Sequence, residues 1–336
     1  MNEIIKICLA LILGFIIAAV SGKFIIPILR RFQLGQHVRE DGPQTHLAKA
    51  GTPSFGGFIF LGSFSILAII YLIIDYNPMV LMVTLFVLAH AIIGFVDDYF
   101  NIKVNNDGLG DGQKALLLLI VEAIFVFAFV YGSSSAITIA MPFGWNAIEV
   151  EGVWKFVYAL FLIFYFFACT NAVNIVDGID GLASSVTIVT LVFTGITGYI
   201  TYKANNNPDN LSLTILSVIM IGALLGFLIY NWHTAKCFMG DMGSLALGAF
   251  VSVIFLYLGI PWAFVFAGVI YVIDIATVLI QTGYYKATGG KRIFRMTPIH
   301  HAFELRGWKE EKVVLSFSAI QLIGAVLAAL MIWPFV

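Results

Sequence analysis

Ten runs of apolar residues, most of them near 20 residues long, decide what this chain can fold into. They fall at about 3–22, 55–74, 78–96, 115–132, 155–171, 184–202, 211–230, 244–260, 262–285 and 313–335. A run of about 20 residues matches a hydrocarbon core about 30 Å thick. No water reaches that layer, so each run must close its own backbone hydrogen bonds as a helix. Charged residues make up 11% of the 336, against about 25% in a soluble domain. The expectation is an all-α polytopic membrane protein: ten transmembrane helices in a single integral membrane domain, 1–336. The N-terminus enters the first run with no Ala-x-Ala cleavage signal, so that run is read as a helix and not as a removed leader. Cys8, Cys169 and Cys237 lie in or beside apolar runs, and neither a disulfide framework nor a zinc site is expected from them.

Ten crossings put both termini on one side and sort the connections into two sets. Of the 18 lysines and arginines, only Lys6, Lys155 and Lys203 fall outside the segments 23–54, 97–114, 172–183, 231–243 and 286–312. Cytoplasmic loops carry such an excess of cations, so these five segments are expected in the cytoplasm and both termini outside it. The outer segment 133–154 reads as a small β-hairpin, Ala136–Ala140 and Ala147–Glu151 around Pro142-Phe143-Gly144. The outer segments are otherwise short and bland, and the cytoplasmic ones carry Asp97, Asp98, Asp177, Asp180, Asp241, His300 and His301. Chemistry is therefore expected at the cytoplasmic membrane surface.

Phe238-Met239-Gly240-Asp241-Met242-Gly243-Ser244 places a carboxylate between glycines where a helix begins. Amide groups at a helix start attract an anion, which Asp241 would repel unless a divalent cation bridged the two. Phe238 is a platform for a planar base or an interfacial aromatic. Asp97-Asp98 ends an apolar helix, where adjacent acids oppose the helix dipole and each other. Magnesium held with substrate phosphates relieves both conflicts, or one of the acids serves as a base. Asn171, Asn174, Asp177 and Asp180 recur every third residue up to the glycine-broken loop at Gly178. That spacing puts side chains on one helix face, with donors and acceptors for a ribose, a base edge or a hydrated metal. The loop 289–308 is basic and aromatic and holds His300-His301: an anionic-lipid contact, or a cover that neutralises charge in a transferring pyrophosphate. Lys49 and His46, in the Gly/Pro-bearing loop 40–57, are candidates to hold a phosphate or carboxylate. Glu122 and Asp274 lie inside spans, and packing between helices or subunits is expected of both.

Taken together, in order and over nearly the whole chain, these motifs resemble the polyprenyl-phosphate N-acetylhexosamine-1-phosphate transferase superfamily. The stretches Asp41–Gly57 and Lys291–Trp308 look most like its peptidoglycan branch, the phospho-N-acetylmuramoyl-pentapeptide transferases. The resemblance implies a magnesium-dependent transfer of phospho-N-acetylmuramoyl-pentapeptide from its UDP carrier to undecaprenyl phosphate, giving lipid I and UMP. It implies ten spans in the bacterial cytoplasmic membrane, a homodimer, an active site on the cytoplasmic face, and no nucleic-acid partner. It implies that Asp241 binds magnesium, that Asp97 and Asp98 lie at the metal and the lipid phosphate with Asp98 as the base, and that Asn174, Asp177 and Asp180 line the nucleotide-sugar site beside Asn171 and Gly178. Phe238 would stack on uracil, and Lys49, Lys114 and His300 would contact phosphates with His301 close by.

The chain departs from that pattern at Ala302, where a third histidine is usual, at Asn101, where Lys103 is the substitute for a missing lysine, and at Thr234, where a proline is usual. Positioning and electrostatics carry most of phosphoryl transfer, and direct attack is favoured here over a covalent Asp intermediate. Two rivals remain on sequence: the GlcNAc-1-phosphate branch of the same superfamily, and a cation-coupled transporter using Glu122 and Asp274. No internal repeat supports the transporter.

Overall fold

The computed structural model describes residues 2–32, 51–105, 107–132 and 137–332. Lys49 and His46 lie outside them. The helices are α1 (Glu3–Arg31), α2 (Gly57–Ile74), α3 (Pro78–Phe100), α4 (Asp111–Gly132), α5 (Trp154–Val176), α6 (Leu182–Asn205), α7 (Pro208–Asn231), α8 (Gly240–Tyr257), α9 (Phe264–Ala267), α10 (Val269–Thr288), α11 (Ile299–Glu304) and α12 (Glu310–Ile332). Strands β1 (Ile137–Ile139) and β2 (Ile148–Val150) pair antiparallel, Thr138 opposite Glu149. This is the expected hairpin, and it rests on the turn after α8: Ala140 N–H donates to Gly259 O (2.9 Å) and Trp262 Nε1 to Ala140 O (2.6 Å).

Among the described residues, nine helices are long and apolar enough to cross a membrane, which makes the chain a multi-pass membrane protein. The run expected as a straight ninth crossing, 262–285, is broken: Pro261–Ala267 and Val269–Thr288 meet at 84° and amount to a tenth crossing only as a bent pair. The bend sits at Gly268, where an added Cβ would lie 2.6 Å from Phe264 O. A break inside an apolar bundle exposes backbone groups that no water can satisfy. Gln321 of α12 satisfies them. Its Oε1 accepts Ile270 N–H (2.9 Å), and its Nε2 donates to Ala267 O (2.7 Å) and Thr190 Oγ1 (2.6 Å).

α8 is the axis of the bundle and its most enclosed span. Gly248 allows that closeness: a Cβ there would stand 2.6 Å from Thr170 Cα of α5. Small residues at such crossings are what packs helices in lipid, where apolar burial alone gives no preference for protein over acyl chain. The intramembrane acids Glu122 and Asp274 are both fully buried within the one chain, so neither is a subunit contact. Glu122 of α4 accepts Thr170 Oγ1 (3.5 Å) and faces His90 Nε2 of α3 (3.7 Å), joining α3, α4 and α5. Asp274 belongs to the site described next.

Candidate active site

The acidic residues gather at one end of the bundle, where α3 and α5 finish and α4 and α8 begin. Gly240 opens α8 with φ +72°, a left-handed backbone suited to glycine, and a Cβ there would meet Asp98 Oδ2 at 2.5 Å. The backbone on either side is clamped to the start of α2: Phe238 N–H donates to Pro53 O (2.9 Å), Gly56 N–H to Phe238 O (2.7 Å) and Gly57 N–H to Met239 O (3.0 Å). The half-buried Phe238 ring therefore sits on a fixed backbone, three residues before Asp241.

The anion expected at the start of α8 is one of the chain's own. Asp98 is buried, and its Oδ2 accepts Met242 N–H (3.0 Å). A capping carboxylate of this kind stabilises a helix start by about 1 kcal/mol. The expectation that these amides face a phosphate is thereby corrected: helix α8 begins at Gly240, one residue before the acid and not after it, and Asp98 takes the amide that opens.

Asp97, one residue earlier, points toward α4. Its Oδ1 accepts Leu109 N–H (2.7 Å) and its Oδ2 accepts Lys114 Nζ (3.1 Å). The same ammonium pairs with Asp241 Oδ2. Asp241 Oδ1 accepts Asn174 Nδ2 (3.0 Å), which also donates to Ser244 Oγ (2.8 Å). Asp177, half-buried at the end of α5, completes the group. Burial, and then the neighbouring Asp241 and Asp180 carboxylates, push its carboxyl up to about 8, so it holds a proton at neutral pH. Among the described residues, Lys114 is the cation paired with Asp97 and Asp241. Two carboxylates on one ammonium, with the Asp98 and Asp177 carboxyls near Asp241, offer oxygen ligands of the kind a hard divalent cation takes. Such a cation would lower the Asp177 value and displace its proton.

The three-residue spacing of 171–180 does not bring all four side chains to this point. Asn174 arrives, but Asn171 Nδ2 folds back onto Phe167 O (2.8 Å), one turn earlier in α5. Helix α5 stops at Val176, so Asp180 leaves the shared face. Its Oδ2 accepts Ala235 N–H (3.0 Å) and stands 3.6 Å from His233 Nδ1, and Glu310 Oε2 accepts Asp180 N–H (3.3 Å). Lys103 is drawn elsewhere as well, donating to Phe32 O (2.9 Å). It closes the end of α1 and does not reach the acids, so it is not the substitute expected for the absent lysine.

His300 reaches the site from α11 with a partner that sequence spacing did not show. Its Nδ1 lies 2.7 Å from Asp274 Oδ2, and both side chains are fully buried. Its Nε2 has no hydrogen-bond partner and points at Gly178, where a Cβ would collide with it and lie 3.2 Å from His301 Nε2. His301 stacks edge-on to His300 at 4.2 Å and pairs through Nδ1 with Glu304 (2.6 Å). Asp274, Ser244 and Asn231, whose Oδ1 accepts Gly181 N–H (3.2 Å), are the positioning groups that sequence reasoning missed. Asp274 alone left a signal, a carboxylate inside an apolar run.

A polytopic helical bundle with its carboxylates gathered at one end is the frame in which the sequence comparisons fall. The sequence pattern of glycosyl transferase family 4 matches residues 80–259, the stretch from α3 through α8 that supplies Asp97, Asp98, Lys114, Asn174, Asp177 and Asp241. Over 328 residues the chain is 41% identical to the phospho-N-acetylmuramoyl-pentapeptide-transferase of Clostridium perfringens (strain 13 / Type A), covering 96% of this chain and 98% of that one. Identity is 38% to the protein of that name from Clostridium novyi (strain NT), over 94% of this chain and 93% of the relative. It is 36% to that of Listeria monocytogenes serovar 1/2a, over 94% of each. The chain belongs to the phospho-N-acetylmuramoyl-pentapeptide transferase family.

Proposed function

We propose that this chain transfers phospho-N-acetylmuramoyl-pentapeptide from UDP-MurNAc-pentapeptide to undecaprenyl phosphate, releasing UMP and forming lipid I. The observation that carries the site assignment is Lys114 joining Asp97 and Asp241, with Asp98 on the start of α8 and Asp177 near Asp241, at the ends of four spans. In this reading the chain is one domain with ten crossings and both termini outside, works as a homodimer in the bacterial cytoplasmic membrane, and opens its site to the cytoplasm. The cation bias of the connecting segments supports that orientation.

Magnesium is the cation proposed for the site, with Asp241 as its ligand; when bound it would neutralise the pyrophosphate and draw charge off the leaving UMP. The protein's own groups do the positioning. Lys114 holds Asp97 and Asp241 together and offers its ammonium to phosphate oxygens. Asp98 keeps Oδ1 for the acceptor's proton while Oδ2 fixes α8. Phe238 offers its ring to uracil, and Asn171, Asp180 and the Gly178 turn shape the nucleotide-sugar side. His300 and His301 face the phosphates over that turn, and Lys49 is assigned to a phosphate by the family pattern alone. A lipid-borne acceptor explains why the acids sit at helix ends, where a chain lying in the bilayer brings its headgroup.

Purified protein given undecaprenyl phosphate and magnesium is expected to release UMP from UDP-MurNAc-pentapeptide and not from UDP-GlcNAc. Release from UDP-GlcNAc alone would assign the chain to the other branch. In the transporter reading, Glu122 and Asp274 would carry flux. Each is instead enclosed against a histidine, and liposomes are expected to show no cation flux that depends on either. Gly178→Ala is expected to lower turnover roughly 10- to 100-fold, because a displacement of about 1 Å in a reacting constellation costs that much. Comparing its turnover and melting temperature with wild type checks this; a normal rate would mean that His300 does not need its place against the turn.

A further inference from the structure

Beyond the Asp97–Lys114–Asp241 group, three segments far apart in the chain bring a second set of metal-ligating atoms together. Asp180 lies in the turn between α5 and α6, His233 in the connection from α7 to α8, and Glu310 opens α12. One oxygen of each carboxylate and one ring nitrogen of the imidazole all lie within 4.8 Å of one another. His233 Nδ1 stands 3.6 Å from Asp180 Oδ2 and 3.7 Å from Glu310 Oε2. Both separations are too long for an N–H···O hydrogen bond, which spans about 2.7–3.2 Å. They match ligands that share one ion: at about 2.1 Å from zinc and an angle of about 110–120°, two ligand atoms stand about 3.4–3.6 Å apart.

Both carboxylates are fixed in place. Their side chains are 1% and 6% exposed. Asp180 Oδ2 accepts the N–H of Ala235, two residues after His233 (3.0 Å), and Glu310 Oε2 accepts Asp180 N–H (3.3 Å). Ligating carboxylates carry such outer hydrogen bonds, which orient them toward the metal. The His233 side chain is 33% exposed, so the set has a path to water and room for a fourth ligand. One imidazole nitrogen and two carboxylate oxygens with an open fourth position suit zinc. Magnesium instead takes oxygen ligands in an octahedron. The nitrogen of His233 thus sets this group chemically apart from the acids near Lys114.

We propose that Asp180, His233 and Glu310 bind a zinc ion, with water as its fourth ligand. The ion ties the start of α12 to the connections that follow α5 and α7, and an ion bound only by the folded chain stabilises it. The site shares Asp180 with the nucleotide-sugar side proposed above but does not rest on the transfer reaction, and none of its readouts is turnover.

The test is calorimetric titration of the purified full chain with zinc, in millimolar magnesium to occupy the acids near Lys114. Wild type is expected to bind zinc and to melt at a higher temperature with it. His233→Phe keeps a ring in place and is expected to bind zinc at least about 100-fold more weakly, because losing even an outer partner of a ligand costs about 10- to 100-fold. Its melting temperature is expected not to respond to zinc. Glu310→Gln, whose amide oxygen still accepts Asp180 N–H, is expected to weaken binding by a similar factor. A further readout needs no variant: zinc is expected to protect His233 of wild type from diethylpyrocarbonate, followed by mass spectrometry of its peptide. If neither variant folds, that protection decides the question. Absence of zinc binding by wild type overturns the proposal and leaves His233 as an ordinary ion-pair partner of two acids. Unchanged affinity in folded His233→Phe, or zinc bound with His233 still reactive, overturns it as well and puts the ion elsewhere on the chain.

Discussion

Asp241→Asn is expected to lower magnesium-dependent UMP release on the order of a thousandfold while leaving the fold intact. Charge stabilisation by a bound metal ion contributes several kcal/mol to a transition state, and about 1.4 kcal/mol corresponds to each factor of ten in rate. The neutral amide is a poor ligand for a hard cation, and Lys114 loses one of its two carboxylate partners. The fold survives because an amide oxygen at the Oδ1 position still accepts Asn174 Nδ2, and because Asp98, not Asp241, caps α8. Turnover measured against magnesium concentration, beside a thermal melt, checks this. The residual activity is expected to need much more magnesium, with the melting temperature close to wild type. Near-normal turnover at ordinary magnesium would remove Asp241 from the metal site. Asp98→Asn separates the two acids: it weakens the cap as well as the proposed base, so both the melt and the rate are expected to fall.

The contrast between those neighbours shows what the sequence could and could not say. Run length and cation bias announced the bundle, because lipid permits only self-satisfied helices and that constraint is written in composition. The hairpin was legible in the β-rich residues around Pro142-Phe143-Gly144, and the bend at Gly268 was not. A single glycine in an apolar run has many uses, and the glutamine that satisfies the broken backbone lies 53 residues further on at Gln321. In the site, the types of residue were readable and their directions were not. Asp97 and Asp98 are adjacent in sequence yet point at α4 and α8. Asn171 and Asp180 share a three-residue spacing with Asn174, but one bonds its own turn and the other lies past the end of the helix, where periodicity no longer holds. Lys103 looked like a phosphate ligand by its place in the motif and is held by the carbonyl of Phe32, just past the end of α1.

Asp274→Asn is expected to lower kcat roughly 100-fold with little change in KM for the nucleotide sugar. Asp274 touches none of the groups proposed for the reaction except His300, so its effect has to pass through that ring. A carboxylate at Nδ1 accepts only, which keeps the proton on Nδ1 and leaves Nε2 facing the Gly178 turn as the variable nitrogen. An asparagine can turn its NH2 to Nδ1 instead. That moves the ring proton to Nε2 and inverts what the histidine offers the phosphates. In the Ser-His-Asp triad the same exchange costs about 10⁴ in kcat. The effect here is set lower because His300 is proposed to contact phosphate rather than to carry the transferred proton. Asp274→Glu is expected to recover part of the rate, since it restores an acceptor but must fit an added methylene into a fully buried site, a strain of about 1–3 kcal/mol. Nitrogen-15 NMR of labelled histidine gives a readout that packing alone would not move: the His300 tautomer is expected to change in Asp274→Asn and to return in Asp274→Glu. A kcat within twofold of wild type in Asp274→Asn would show that the pair only packs α10 against α11, and the unpartnered Nε2 at Gly178 would then have no part in the reaction.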